Sequence, residues 1–195
     1  MEKVLKDHPR FPELESAISD LTKGDSALPW TGYAYRCCRH TYAKRNDFLS
    51  GAGAAQYGGR FTRPGVAPMI YASTTALLAV AEALENYRLR KVQPWEICPL
   101  VIMALEVGPV WALDLTRPDI QKRLGVSRQD LQGENWRLAN DQGFESLCQA
   151  IGRAALAAGV KALMVPTALM EKDANIALFR DQIPDSALKV LRGIE

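Results

Sequence analysis

The chain alternates between stretches whose apolar residues recur every third or fourth position and stretches that are apolar throughout. In PELESAISDLTK, 12–23, Leu14, Ile18 and Leu21 fall on one helical face and Pro12 suits a helix start, so a short amphipathic helix is expected. GDSALPWTG, 24–32, reads as a loop, and YAYRCCR, 33–39, alternates weakly as a strand does. Residues 43–60 end in SGAGAAQYGG and offer few core-building side chains, so an extended loop or irregular strand is expected. PMIYAS, 68–73, reads as a buried strand. TTALLAVAEALENYRLR, 74–90, is the clearest helix: Thr74 or Thr75 can cap it, and Arg88, Arg90 and Lys91 suit its C-terminal end. ICPLVIMALEV, 97–107, is apolar and β-branched, and VWALDLT, 110–116, follows Gly108-Pro109, so strand, turn and strand are expected there. Short helical pieces and polar loop fill 117–142, and ESLCQAIGRAALAAG, 145–159, reads as a helix closed by Gly159. ALMVPT, 162–167, and NIALF, 175–179, are short strands, while the terminal SALKVLRGIE fits either a strand or a helix. The order is mixed and lacks strict βαβ alternation. A single α+β or α/β domain is therefore expected, α+β being preferred, rather than a doubly wound sheet.

Composition narrows the function classes. The 195 residues are 48% hydrophobic, enough for one substantial core. With 24 basic and 22 acidic residues the net charge is +2, which gives bulk nucleic-acid binding little support but allows a local basic site. MEKVLKDHPR does not resemble a signal peptide, and no apolar run reaches the length of about 18 residues that a membrane span needs. Cytoplasmic residence is expected. Cys37, Cys38, Cys98 and Cys148 form no CxxC pair and read as free thiols. With only His8 and His40 present, neither a His-rich zinc site nor a Ser-His-Asp hydrolase is expected, and no metal is required.

A few polar residues stand out against this background. Arg60 follows Gly58-Gly59 in YGGRFTRPG, where backbone can approach a ligand and a planar guanidinium can meet phosphate oxygens in pairs. A surface arginine beside a turn is the other reading. Tyr71, at the end of an apolar strand, either packs in the core or stacks on a planar ligand. Glu82 is the one charged residue from Ala76 to Leu84, on the border of an apolar helical face. A buried carboxylate there needs a partner or a ligand, whereas a solvated border residue does not. Arg36 shares a strand face with Ala34 and Cys38 and is either a second phosphate ligand or exposed. Thr167 follows Pro166 at a strand mouth, where a cap or turn residue is the commoner role.

Taken together, GGRFTRPG, MIYAST, an apolar helix with one glutamate, and VPTA followed by NIALF resemble the RES-domain family, the toxin halves of bacterial RES–Xre toxin–antitoxin systems. The family pattern is a GGR[WF]N-x-x-G loop, a "lYxa" strand, a helix bearing the glutamate, and a late "PS" before an Asn-containing strand. The resemblance covers roughly residues 33–180. It places the family arginine on Arg60, the glutamate on Glu82, the tyrosine on Tyr71 and an earlier arginine on Arg36. Thr62 stands where the pattern has Asn, and Thr167 where it has Ser. Ser146 is a second candidate for the serine role, with Thr167 the better match in context.

The resemblance implies an ADP-ribosyltransferase-like core, with a mixed or split β-sheet, flanking helices and a cleft for NAD. An N-terminal helical extension over 1–32 and a catalytic domain over 33–195 are the implied organisation. The implied activity is loss of NAD by hydrolysis or phosphorolysis of the nicotinamide–ribose bond. In that reading Arg60 and Arg36 clamp the pyrophosphate, and Tyr71, Thr62, Thr167 and Ser146 supply ring and hydroxyl contacts. Glu82 stabilises positive charge at the ribose. Transfer of ADP-ribose to a protein, an inactive binding module of the same fold, and an RNase are the alternatives. The implied partner is an Xre-type helix-turn-helix antitoxin that plugs the cleft, with no direct nucleic-acid contact.

Overall fold

A computed structural model describes residues 4–23 and 28–191. Part of the loop expected over 24–32 and the end of the terminal segment lie outside the described residues. The first helix, α1 (Phe11–Lys23), buries Leu14, Ile18 and Leu21 as its pattern requires, each worth about 2 kcal/mol of burial. From Leu28 the chain is already strand, so the expected loop ends earlier than its composition indicates: β1 runs Leu28–Arg39.

Residues 43–60 depart most from expectation. They form two short helices, α2 (Arg45–Ser50) and α3 (Ala52–Tyr57), broken at Gly51. Phe48 and Leu49, adjacent in sequence, give α2 a buried side without any visible periodicity. The strand β2 (Met69–Ser73) and the helix α4 (Ala76–Leu89), capped by the Thr75 hydroxyl, follow as expected. After the single turn α5 (Pro94–Ile97) comes β3 (Leu100–Asp114), one continuous strand where strand, turn and strand were expected. Val107 pairs with Gly32 and Val110 with Trp30, so Gly108-Pro109 forms a bulge opposite Thr31. A bulge tolerates the donor that proline lacks, and the strand continues through it.

Three short helices, α6 (Pro118–Arg123), α7 (Arg128–Gly133) and α8 (Trp136–Asp141), lead to α9 (Leu147–Ala157). The strands β4 (Ala162–Pro166), β5 (Ala174–Phe179) and β6 (Leu188–Leu191) complete the chain, the last resolving the strand-or-helix ambiguity in favour of strand.

The strands close on themselves. β1 pairs with β3, β3 with β4, β4 with β5, β5 with β2, and β2 returns to β1 through the pair Tyr35↔Ser73. β6 lies on the β4 side of β3. The result is a mixed α+β fold around a barrel-like sheet. Alternation along β2, β4 and β5 divides two cores. Ile70, Ala72, Ala162, Ile176 and Leu178 pack with Phe48 and Leu105. Met69, Leu163, Val165, Ala177 and Phe179 pack instead beneath α1 and α9, against Leu14, Ile18 and Ile151. Burial on both faces explains why these strands read as unbroken apolar runs. Among the described residues no helix is long and apolar enough to cross a membrane.

Candidate active site

The strand face beneath α1 and α9 turns polar at one end. Continuing the alternation of β2, β4 and β5 brings Ser73, Asn175 and Thr167 onto that face, with Asn175 paired to both Ser73 and Val165. Directly after β2, Thr75 caps α4 by accepting from Leu78 N at 3.2 Å and donates to Asp173 at 3.1 Å. Two turns into that helix Glu82 meets the strand ends. Its Oε1 accepts from the Thr167 hydroxyl at 2.8 Å and from Asn175 Nδ2 at 2.6 Å. Asn175 Oδ1 in turn accepts from the Ser73 hydroxyl at 2.7 Å, and the Thr167 carbonyl accepts from Gln132 at 2.6 Å. Both donors hold one carboxylate oxygen. The carboxylate is thus fixed in direction, and Oε2 makes no hydrogen bond with the described residues.

The loop carrying Arg60 is built as firmly. Gly59 and Thr62 pair through a bridge, Phe61 is buried, and Phe61 N donates to the Tyr71 hydroxyl at 2.9 Å. Gln149, on α9, donates to the Gly59 carbonyl at 3.0 Å. A Cβ at Gly59 would lie 2.5 Å from the Tyr71 hydroxyl, and one at Gly152 would overlap the Phe61 carbonyl oxygen. Both glycines are therefore demanded by close approach. Burial of the Tyr71 hydroxyl pushes its pKa well up, so it serves the loop as a neutral acceptor. Arg60 Nη1 donates to the carbonyls of Leu131 and Glu134 at 3.2 and 3.1 Å. The Glu134 carboxylate caps α9 by accepting from Leu147 N and Cys148 N at 2.6 and 2.8 Å. Burial, then that carboxylate, push the Cys148 thiol up.

The other expected site residues divide. Arg36 is held by the Phe48 carbonyl at 2.6 Å and lies over the Phe48 ring, and burial lowers its pKa. Thr62 is buried and donates to the Ala67 carbonyl at 3.2 Å, a contact that shapes the turn. Ser146 is the N-cap of α9 in a reciprocal capping box with Gln149. Of the two candidates for the hydroxyl at the carboxylate, Thr167 stands at Glu82, and the Ser146 hydroxyl is occupied by its helix.

Several residues of this region carry no conspicuous sequence signal. Ser73 and Gln132 reach the site through strand register and the α7 turn, whereas Asn175 lies in the Asn-containing strand of the family pattern. Asn86, one turn after Glu82, accepts from Arg137 at 2.9 Å. The S-x-x-Q spacing at Ser146 and Gln149 is itself a capping-box signature and identifies that serine's role. Among the described residues no cluster of three or more His, Cys, Asp or Glu is placed to hold a metal ion. A fixed carboxylate, one oxygen of which makes no hydrogen bond with the described residues, suits stabilising positive charge.

The NAD(+) phosphorylase MbcT of Mycobacterium tuberculosis (strain ATCC 25618 / H37Rv) is 30% identical over 134 residues, 68% of this chain and 67% of that protein. The protein of the same name from Mycobacterium bovis matches equally. Among solved structures, the M. tuberculosis MbcT–MbcA toxin–antitoxin complex superposes with a TM-score of 0.72 at 23% identity, covering 92% of this chain and 91% of the matched chain. That likeness extends the shared fold over nearly the whole molecule. Residues 33–193, which take in most of β1 and every later element, match the RES domain, and the chain belongs to the RES domain family.

Proposed function

We propose that this chain is the toxin of a toxin–antitoxin pair and destroys NAD+ by phosphorolysis of the nicotinamide–ribose bond. The observation that carries the reading is Glu82, held through one oxygen by Thr167 and Asn175 with the other oxygen left to act. The relatives' name, NAD(+) phosphorylase, supplies the substrate and the acceptor. In this reaction a phosphate oxygen bonds to the ribose anomeric carbon as the carbon–nitrogen bond breaks. The electron pair of that bond leaves on the pyridine nitrogen, and nicotinamide departs neutral. The leaving group needs no proton, so the chief demand is for negative charge beside an oxocarbenium-like ribose, the role we give Glu82.

Arg60 binds the pyrophosphate in this reading, with Nη1 fixed by two carbonyls. Arg36 acts as a second cation, and Thr167 positions Glu82. Tyr71, Thr62 and Ser146 shape the cleft by holding the Arg60 loop and α9. The fold is read as ADP-ribosyltransferase-like, with the catalytic unit over 33–195 and 1–32 as an addition to it. The partner is an antitoxin of helix-turn-helix, Xre type, and the site of action is the cytoplasm, where NAD+ is plentiful.

The test is incubation of purified protein with NAD+ and inorganic phosphate, with products identified by mass spectrometry. Nicotinamide and ADP-ribose 1″-phosphate are expected, and Glu82→Gln should lower the rate at least about 100-fold with little change in melting temperature. Turnover of NAD+ by Glu82→Gln at the native rate would remove the assignment. Label from NAD+ on a protein band would instead indicate ADP-ribose transfer.

A further inference from the structure

Glu82 is the first of three polar residues spaced four apart. Asn86 and Arg90 follow it along α4 and its C-cap, on the same side of the helix. Asn86 Oδ1 accepts from Arg137 Nη2 at 2.9 Å, and the Arg137 guanidinium lies 4.4 Å from the centroid of the Trp136 ring. Neutral groups, an amide and an indole, thus hold a cation. Arg90 and Arg60 both lie close enough to repel it. Burial first, and then these two like charges, lower the pKa of Arg137. Among the described residues neither Arg137, Arg90 nor Arg60 forms a salt bridge. Guanidiniums that repel one another and form no ion pair are relieved when an anion arrives.

We propose that Arg137, Arg90 and Asn86 form a phosphate-group site one to two helical turns from Glu82, adding to the contact assigned to Arg60. The inference rests on the NAD+ phosphorolysis reading for its substrates but not for its anion. Arg137 supplies a fork already fixed at one nitrogen by Asn86, and Arg90 a second charge from the exposed end of α4. A phosphate group reaches this site from one of two sources: the inorganic phosphate that attacks the ribose, or the pyrophosphate of NAD+.

Initial rates of the purified full chain, varied separately in inorganic phosphate and in NAD+, distinguish the two. Arg137→Gln should raise one KM by about tenfold, the loss of one charge-assisted hydrogen-bonding group. Arg90→Gln should raise the same KM by less, and Arg137→Lys should restore part of the loss. A rise in the phosphate KM alone identifies the attacking phosphate, and a rise in the NAD+ KM alone identifies the pyrophosphate. A change of less than twofold in both overturns the site, as does a fall in kcat and melting temperature with both KM values unmoved. Should the native chain turn over no NAD+, the function reading fails and calorimetry with inorganic pyrophosphate decides this one. Binding by the native chain that is lost in Arg137→Gln supports the site. Equal binding by both, or none by the native chain, overturns it.

Discussion

Arg60 and Arg63 are three residues apart in one loop, yet their surroundings are opposite. Arg63 reaches Asp7 at 2.7 Å and lies 3.8 Å from Glu145. Arg153 grips Glu145 with two hydrogen bonds, at 2.9 and 2.7 Å, and lies over the Phe11 ring. The Glu145 side chain is fully buried, and its Oε2 also accepts from His8 N at 3.0 Å. These arginines are neutralised by the chain's own carboxylates, and they fasten the segment before α1 to the loop and to α9. Arg60 is held by two carbonyls and Arg137 by an amide and a ring, and among the described residues neither they nor Arg90 forms a salt bridge. Charge satisfied internally contributes to stability. Charge positioned by neutral groups remains available to a ligand.

The contrast is sharpest when the buried carboxylate is removed. Glu145→Ala removes the buried carboxylate that Arg153 grips, leaves only the exposed Asp7 to face both guanidiniums, and should cost about 3 kcal/mol in urea unfolding. Arg90→Gln should change stability by less than about 0.5 kcal/mol. Equal losses in the two variants would erase the distinction between the clusters. Within the site, Thr167→Val removes the hydroxyl donor to Glu82 and should lower the NAD+ cleavage rate about tenfold or more, whereas Thr167→Ser should stay near native. If Val and Ser variants behave alike, the hydroxyl does not position the carboxylate.

The smallest effect belongs to acid. Hydrogen bonding from Arg63 is the main reason that Asp7 has a folded-state pKa below 3.8. A lowered carboxylate pKa contributes stability that is present above the unfolded value and lost as pH falls through the folded one. Asp7 is largely exposed, so the contribution should be under about 1 kcal/mol. Stability of native and Asp7→Asn proteins, measured from pH 6 down to pH 2, should differ at the upper end and converge at the lower. A constant difference across that range would separate Asp7 from the pairing.

Residues whose role is set by their own periodicity were readable in the sequence. Leu14, Ile18 and Leu21 announced α1, and the apolar runs at 68–73 and 162–167 announced strands buried on both faces. Glu82 stood out because α4 is otherwise apolar around it. Residues 43–60 were misread because Phe48 and Leu49 are neighbours, which gives no period, while alanine and glycine fit helix and loop alike. The turn at Gly108-Pro109 was misread because a bulge depends on the partner strand's register. The contact of Ser73 with Asn175 depends likewise on which strands pair, which no local pattern encodes. Arg137 sits in a six-residue helix, too short to show a face, and its partner Asn86 is 51 residues away.

The closure of the sheet bears on how the site moves. Four of the five joints around the ring are ladders of three or more paired residues, but β1 meets β2 at Tyr35↔Ser73 alone. A hoop yields first at its shortest seam, and thermal breathing concentrates there. Ser73 is half of that seam and also the residue that orients Asn175 toward Glu82. The shortest joint of the barrel thus shares a residue with the network that holds the carboxylate.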